Sequence, residues 1–334
     1  ASLSRGLGWS TEFTILGAGV AGMCVASELS KRGASVTMID PYGGPGPHGC
    51  SWWAGGMLAP DCEGETAEPA VVAHGRNAAA WWQDQGVQVT YNGSVVVALS
   101  RDTAELQRFQ RRTENHVTLD RAGLTELEPQ LAERFGTALH MTAEGHVTPR
   151  LALTHLRDQL EARGVHVQSQ GTPSGQVIDC RGLAAKDALP DLRGVKGEMV
   201  ILHAPDVSLD RPVRLLHPRF PLYIVPRGDG VFMLGATQIE SGERSRATVR
   251  SVMELLSAAY ALTPAFGEAE ILETGVDARP AFPDNMPRIR KKNGVVYVNG
   301  LFRHGYLLAP ALAVMLADWQ LDGKLPEIWH EDHD

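Results

Sequence analysis

Apolar and polar positions along this chain follow two rhythms, and each change of rhythm marks a change of element. Phe13 to Leu16 is an apolar run rich in β-formers and too short for a helix, so it predicts a strand. A glycine turn from Gly17 to Gly22 follows. Val25 and Leu29 then recur one helical turn apart while Ser27, Glu28, Lys31 and Arg32 look outward, and Gly33 is placed to end the helix. Val36 to Ile39 predicts a second strand, closed by Asp40.

Pro41 to Gly49 is too rich in proline and glycine for regular structure. Cys50 to Leu58 sets small residues beside aromatics, either as a helix start packed by two tryptophans or as backbone pressed against a flat ligand. Ala59 to Thr66, with Asp61, Glu63 and Glu65, lacks apolar anchors and is expected to be a mobile loop that gates the site. Ala70 to Gln85 predicts one helix with Trp81 and Trp82 on its core side, and Val87 to Leu99 alternates about Asn92–Gly93 as a hairpin would. Charged helices are expected over Asp102 to Thr113 and Arg121 to Leu131. A stronger one spans Arg150 to Arg163, with Pro149 at its first turn and Gly164 past its end.

Gln176 to Cys180 is a short strand, and from Lys196 the pattern turns β-rich. Glu198 to His203, Leu222 to Val225 and Val231 to Gly235 predict strands. A helix over Arg244 to Leu262, strands over Ala269 to Val276 and Val295 to Val298, and an apolar helix from Gly305 to Leu321 complete the chain. Strand–helix alternation at both ends of a β-rich middle predicts an α/β protein. Its Rossmann-like nucleotide domain is discontinuous over 1–70, 145–185 and 270–334. A second, α+β domain over 71–144 and 186–269 rests on a mostly antiparallel sheet.

The 334 residues suffice for one large or two ordinary domains, and 43% hydrophobic with 21% charged content is that of a soluble globular chain. A formal net charge of −8 argues against a nucleic-acid backbone or an anionic membrane surface as partner. Ala1 to Glu12 has no apolar core for a signal peptide, and no apolar run nears the roughly 20 residues that span a bilayer. Cys24, Cys50, Cys62 and Cys180 form neither a C-x-x-C pair nor a zinc spacing, so reduced thiols in a cytoplasmic protein are expected. His330 and His333 fall in an acidic tail expected to be solvated, and no metal site is expected.

The turn Gly17-Ala18-Gly19-Val20-Ala21-Gly22 has the spacing of a dinucleotide cradle. Its first glycine permits the tight turn, its second admits a pyrophosphate, and its third lets helix pack on strand. Asp40 lies 18 residues past Gly22, close to the separation expected of an acid that accepts from a ribose hydroxyl. These features agree on a dinucleotide and leave NAD against FAD open.

Further strings carry a resemblance. They are Ala54 to Leu58 (A-G-G-M-L), His146 to Pro149 before a helix, Tyr223 to Arg227 (Y-I-V-P-R), Leu234 to Thr237 (L-G-A-T) and Ala278 to Pro280 (A-R-P). The most specific is Phe302 to Pro310 (F-R-H-G-Y-L-L-A-P). Together they resemble the D-amino acid oxidase family of FAD-dependent oxidoreductases over nearly the whole chain, and within it the glycine oxidase branch.

The resemblance implies an extended FAD with its pyrophosphate at Gly17, Gly19, Val20, Ala21 and Gly22 and its ribose on Asp40. Ser51, Ala54, Gly55, Gly56 and Met57 would line the isoalloxazine. The carbonyl edge of the ring would face His304, Gly305, Tyr306, Leu307 and Leu308, where a helix N-terminus suits the anion formed on reduction. Trp53 stands where covalent relatives carry a flavin-attaching histidine, so the FAD is expected to be noncovalent.

Arg279 is similar to the family's arginine that clamps the substrate carboxylate, with Tyr223 as its hydroxyl partner and Arg303 as a second cation. Arg303 also stands out physically, because a cation just ahead of a helix is disfavoured unless an anion sits nearby. Two departures from the family pattern occur. Asp179-Cys180-Arg181-Gly182 replaces an alanine- or threonine-containing turn, and Phe220, Pro221 and Leu222 stand where relatives are more polar.

The implied reaction is oxidation of glycine, sarcosine or a small D-amino acid by hydride transfer to flavin. Hydrolysis of the imine gives glyoxylate and ammonia, and oxygen gives hydrogen peroxide, with a role in the thiazole branch of thiamine biosynthesis. The substrate and oxygen are the expected partners, and a homo-oligomer is expected. Rival readings are a dehydrogenase passing electrons to a quinone or carrier, an inactive FAD-binding subunit, and an NAD dehydrogenase.

Overall fold

The computed structural model describes residues 11–218 and 222–333. The polar start of the chain through Ser10 and the Phe220–Pro221 pair lie outside them. β1 (Glu12–Leu16) and β2 (Ser35–Ile39) run parallel, Phe13 opposite Val36 and Ile15 opposite Met38, with helix α1 (Val20–Lys31) as the crossover between them. Gln176–Asp179 joins the other side of β1, Val295–Asn299 follows, and seven strands make up the sheet.

Its outer edge corrects the expectation of a solvated tail. His330–Asp332 is an edge strand beside Arg288–Lys292, because Glu331 accepts from both Arg288 and Arg290 at 2.8 Å and His330 sits edge-on to Trp319. His333 stays exposed.

A second sheet of nine strands is antiparallel except where Ser94–Ala98 lies beside Val213–Leu216. It contains β3 (Arg193–His203), β4 (Leu222–Gly228), β5 (Val231–Gly235) and β6 (Glu270–Ala281). The last pairs along the whole of β3, Arg193 opposite Ala281 and His203 opposite Glu270. The strand β6, expected on the nucleotide side, thus pairs in the second sheet.

The predicted helix over Ala70 to Gln85 is two helices, Pro69–Gly75 and Ala78–Asp84. Both pack into the core that β1, α1 and the final helix share. Trp82 is fully buried there and donates to the Tyr306 carbonyl at 3.0 Å, while Trp81 donates to Glu28 at 2.6 Å.

The hairpin about Asn92–Gly93 does not form. Val95, Val96 and Val97 are fully buried in a strand that sits between two others, whereas Thr90 turns away to bridge His146. An apolar run buried on both faces has no outward side to give to a local partner. Arg121 to Leu131 also divides, at Glu128, and the helix expected from Arg244 starts only at Val249, where Thr248 caps it by accepting from the Ser251 N–H.

Ala59 to Thr66 is no free loop. Pro60–Glu63 forms a helical turn with Asp61, Cys62 and Glu63 all buried. Arg76 donates to Asp61 at 2.7 Å, and Glu144 accepts from the Cys62 N–H at 2.9 Å. Polar anchors that lie far away in sequence hold it in place.

The final helix, α2 (Gly305–Asp322), is apolar on all sides and packs between α1 and the helices at 69–84. Its N-terminus and that of α1 point to the same side of the first sheet, where the two domains meet.

Candidate active site

A cavity of about 380 Å³ lies at that meeting, walled by the glycine turn, Asp40, the Ser51–Met57 segment, β3, β6 and the start of α2. Gly17 has φ of +97°, and a side chain there would bring Cβ within 2.5 Å of the Cys180 carbonyl oxygen. Only glycine fits that turn. Gly56, at φ +77°, is as constrained, for its Cβ would lie 2.2 Å from the Val147 carbonyl oxygen.

Asp40 is buried and accepts from the Ala18 N–H at 2.9 Å and the Tyr42 N–H at 2.8 Å. It therefore organises the turn as well as facing the cavity. Ser51 joins the two helix starts: its Oγ accepts from the Val20 N–H at 2.9 Å, and its carbonyl accepts from the Tyr306 hydroxyl at 2.8 Å. The first hydrogen bond of α2 runs from the Leu308 N–H to the His304 carbonyl, so helix geometry leaves the N–H groups of the preceding turn directed at the cavity.

Of the cofactor residues read from sequence, Val20, Ala21, Gly19, Ala54, Gly55, Met57, His304, Gly305 and Leu307 also line the cavity. Gly22 and Leu308 do not. Gly22 is pressed beneath Gly17, and Leu308 is fully buried in the core.

Arg279, on β6, enters opposite α2. Its guanidinium lies against Gly197, where an added Cβ would come within 2.4 Å of it. One nitrogen donates to the Thr237 carbonyl at 3.0 Å and the Tyr223 hydroxyl lies close by, but Nη1 is buried with no partner. Burial lowers its affinity for its proton. A desolvated guanidinium with a free donor is a ready receptor for a carboxylate.

Arg303 is placed differently. It donates to Glu63 at 2.9 Å and to Thr66 at 2.8 Å, and Glu63 also takes Arg214 at 3.4 Å. Glu63 is the anion that a cation ahead of a helix requires. Burial alone would raise the Glu63 carboxyl, but Arg303, His304 and Arg214 outweigh it and hold it down to about 2. Burial pushes His304 down to about 4, so it is neutral.

Sequence reading missed several wall residues. Asp277 shares a face of β6 with Arg279, a signal that the two-residue strand period carries. Burial raises its carboxyl to about 6 against the opposing pull of Arg244, which pairs with it at 2.9 Å and also donates to the His48 carbonyl. Nothing local pointed to Glu63, 240 residues from Arg303.

The cavity has what FAD requires. Two helix N-termini and a glycine turn suit its pyrophosphate and the anionic edge of its reduced ring, and Asp40 faces the same space. Fold and cavity together define a flavin-dependent oxidoreductase. The chain belongs to the family of FAD dependent oxidoreductases (DAO), which it matches over residues 12–319. It is 50% identical over 303 residues to a Rhizobium etli protein named as the thiamine biosynthesis oxidoreductase ThiO, covering 89% of this chain and 92% of that one. It is 28% identical to a glycine oxidase of Pseudomonas aeruginosa, over 96% of this chain and 97% of that one. The crystal structure of glycine oxidase from Geobacillus kaustophilus superposes with a TM-score of 0.78 at 22% identity, covering 94% of this chain and 95% of that one. Among the described residues no helix is long and apolar enough to cross a membrane.

Proposed function

We propose that this enzyme oxidises glycine or a similar small amino acid, such as sarcosine or a small D-amino acid, with oxygen as acceptor. Its noncovalent FAD lies in the cavity, and its product supplies the thiazole branch of thiamine biosynthesis in the cytoplasm. The observation that carries this reading is Arg279, a half-buried residue beside the Tyr223 hydroxyl whose Nη1 is buried and unpartnered. The names of the ThiO and glycine oxidase relatives agree with it.

Arg279 binds the substrate carboxylate and Tyr223 orients the clamp. Arg303 is already engaged by Glu63 and Thr66, which leaves Arg279 as the guanidinium with an unpartnered donor for the carboxylate of a small substrate. FAD held in this cavity would supply the acceptor for the hydride of the substrate Cα and hand the electrons on to oxygen. The imine released is hydrolysed to glyoxylate, with ammonia from glycine. The N–H groups at the start of α2 would hold the negative edge of the reduced ring, and Asp40 would hold the ribose. A structural flavin would have no use for such a clamp.

The test is a peroxide assay on purified protein with glycine, sarcosine, D-alanine and a dicarboxylic amino acid, with no added acceptor. Peroxide from the monocarboxylates is expected. Reduction of an added dye without peroxide would instead mark a dehydrogenase, and no turnover of any substrate would mark a flavin held for structure alone.

A further inference from the structure

A second cavity, of about 200 Å³, lies on the far side of the Trp52–Ala54 wall from the first. Its polar groups are unusual. Arg227, the last residue of Y-I-V-P-R, donates from Nη2 to the Ala54 carbonyl at 3.1 Å, while its Nη1 is buried and has no acceptor. Burial lowers its affinity for its proton, and Arg150 adds a second positive charge beside it.

Arg150 stacks with its guanidinium carbon 4.8 Å from the Trp52 ring and 4.9 Å from the Trp53 ring. Its Nη1 donates to Glu273 at 2.7 Å, and its Nη2 is also buried without a partner. Two guanidinium groups therefore face one carboxylate, with one unused donor on each. The nearby His146 adds no third positive charge, since burial and Arg227 keep it neutral.

Desolvating a cation beside another cation is costly unless an anion completes the set. Separate guanidinium groups offering planar N–H donors suit the several acceptor lone pairs of an oxyanion. Trp52, Trp53 and Met233 supply apolar walls around the charged end. We propose that this cavity is a second anion site, distinct from the amino-acid pocket, which takes a small oxyanion between Arg227 and Arg150. A short carboxylate and inorganic phosphate share that chemistry.

The flavin-loaded Arg279→Met variant, which removes the carboxylate clamp of the first cavity, isolates the site. It should be titrated separately with acetate and phosphate by calorimetry, with tryptophan emission followed in parallel because two indoles line the cavity. One anion per chain is expected, with an emission change. Adding Arg227→Met should weaken binding at least tenfold, and Arg150→Met provides the same comparison if the Arg227 variant does not fold. A response to acetate alone identifies a carboxylate site, and a response to phosphate identifies an inorganic oxyanion site. Absence of binding by both anions, or equal affinity with and without the arginine, overturns the proposal.

Discussion

Arg279 and Arg303 bring the same charge to one cavity and meet opposite circumstances. Arg303 is saturated by Glu63 and Thr66, whereas Arg279 keeps a buried donor for a ligand. Removing one partner of a desolvated ion pair costs about 3–5 kcal/mol. For Arg279→Ala this translates to a fall in kcat/KM toward glycine of roughly a hundredfold to a few thousandfold. The variant should keep its yellow colour and its melting temperature, and Arg279→Lys should recover only part, since an ammonium cannot grip two oxygens in one plane. An amine substrate without a carboxylate should be far less sensitive. Near-normal kcat/KM in Arg279→Ala would remove the clamp. The same scale explains Trp53, whose indole donates to the Pro47 carbonyl at 2.9 Å and offers no nucleophile to the flavin. Acid precipitation should therefore release all the flavin into the supernatant, and colour remaining in the pellet would show a covalent bond.

At the scale of elements, the segment from Ala59 to Thr66 carries the clearest consequence. Its composition suggests a lid, yet Asp61 and Glu63 are buried and held by Arg76, Arg303 and Arg214, and Glu65 pairs with Arg112. The segment from Ser241 to Thr248, read as helix from Arg244 onward in the sequence, is the irregular and exposed one. Proteolytic nicking concentrates where backbone is exposed and unpaired. A glutamate-specific protease should accordingly cut after Glu243 while sparing Glu63 and Glu65, with or without a carboxylate inhibitor. Early cleavage at Glu63 would restore the lid. Asp61→Ala, which strips Arg76 and Asn115 of their shared acceptor, should expose the segment to that cleavage.

For the whole molecule, buried titratable groups in several elements set an opposed pH response. His146 and His304 are both pushed from 6.5 to about 4 by burial. Such a group binds its proton more readily in the unfolded chain, so its support for the fold is full above about 6.5 and is lost as pH falls toward about 4. Glu128 runs the other way. Burial raises it from 4.5 to about 7, so its contribution is present below about 4.5 and lost as pH rises toward about 7. In unfolding titrations between pH 4 and pH 7, His146→Gln should flatten the rise of stability with pH. The effect should reach up to about 3 kcal/mol, since each tenfold change in proton affinity between folded and unfolded chain is worth about 1.4 kcal/mol. Glu128→Gln should steepen the rise. A His146→Gln profile parallel to that of the parent chain would show that this histidine is not neutral by burial.

What the sequence determined by itself is the nucleotide half: strand, glycine turn, helix, strand and Asp40 were legible because their constraints act within some thirty residues. There, side-chain period and backbone freedom decide the structure without help from elsewhere. The strings at Ala54 and Phe302 were legible for the same reason, and all but a few of their residues do face the cavity. Other features were decided only in three dimensions. Asn92–Gly93 has hairpin chemistry, but burial on both faces gave Val95 to Val97 distant partners. The strand holding Arg279 lies next in sequence to the nucleotide half yet pairs with β3 of the other sheet. Whether Arg303 would serve the substrate or the fold depended on Glu63, and no local pattern records where a buried carboxylate comes to rest. A charge is neutralised by whichever group packing brings within reach, and packing is a property of the folded whole.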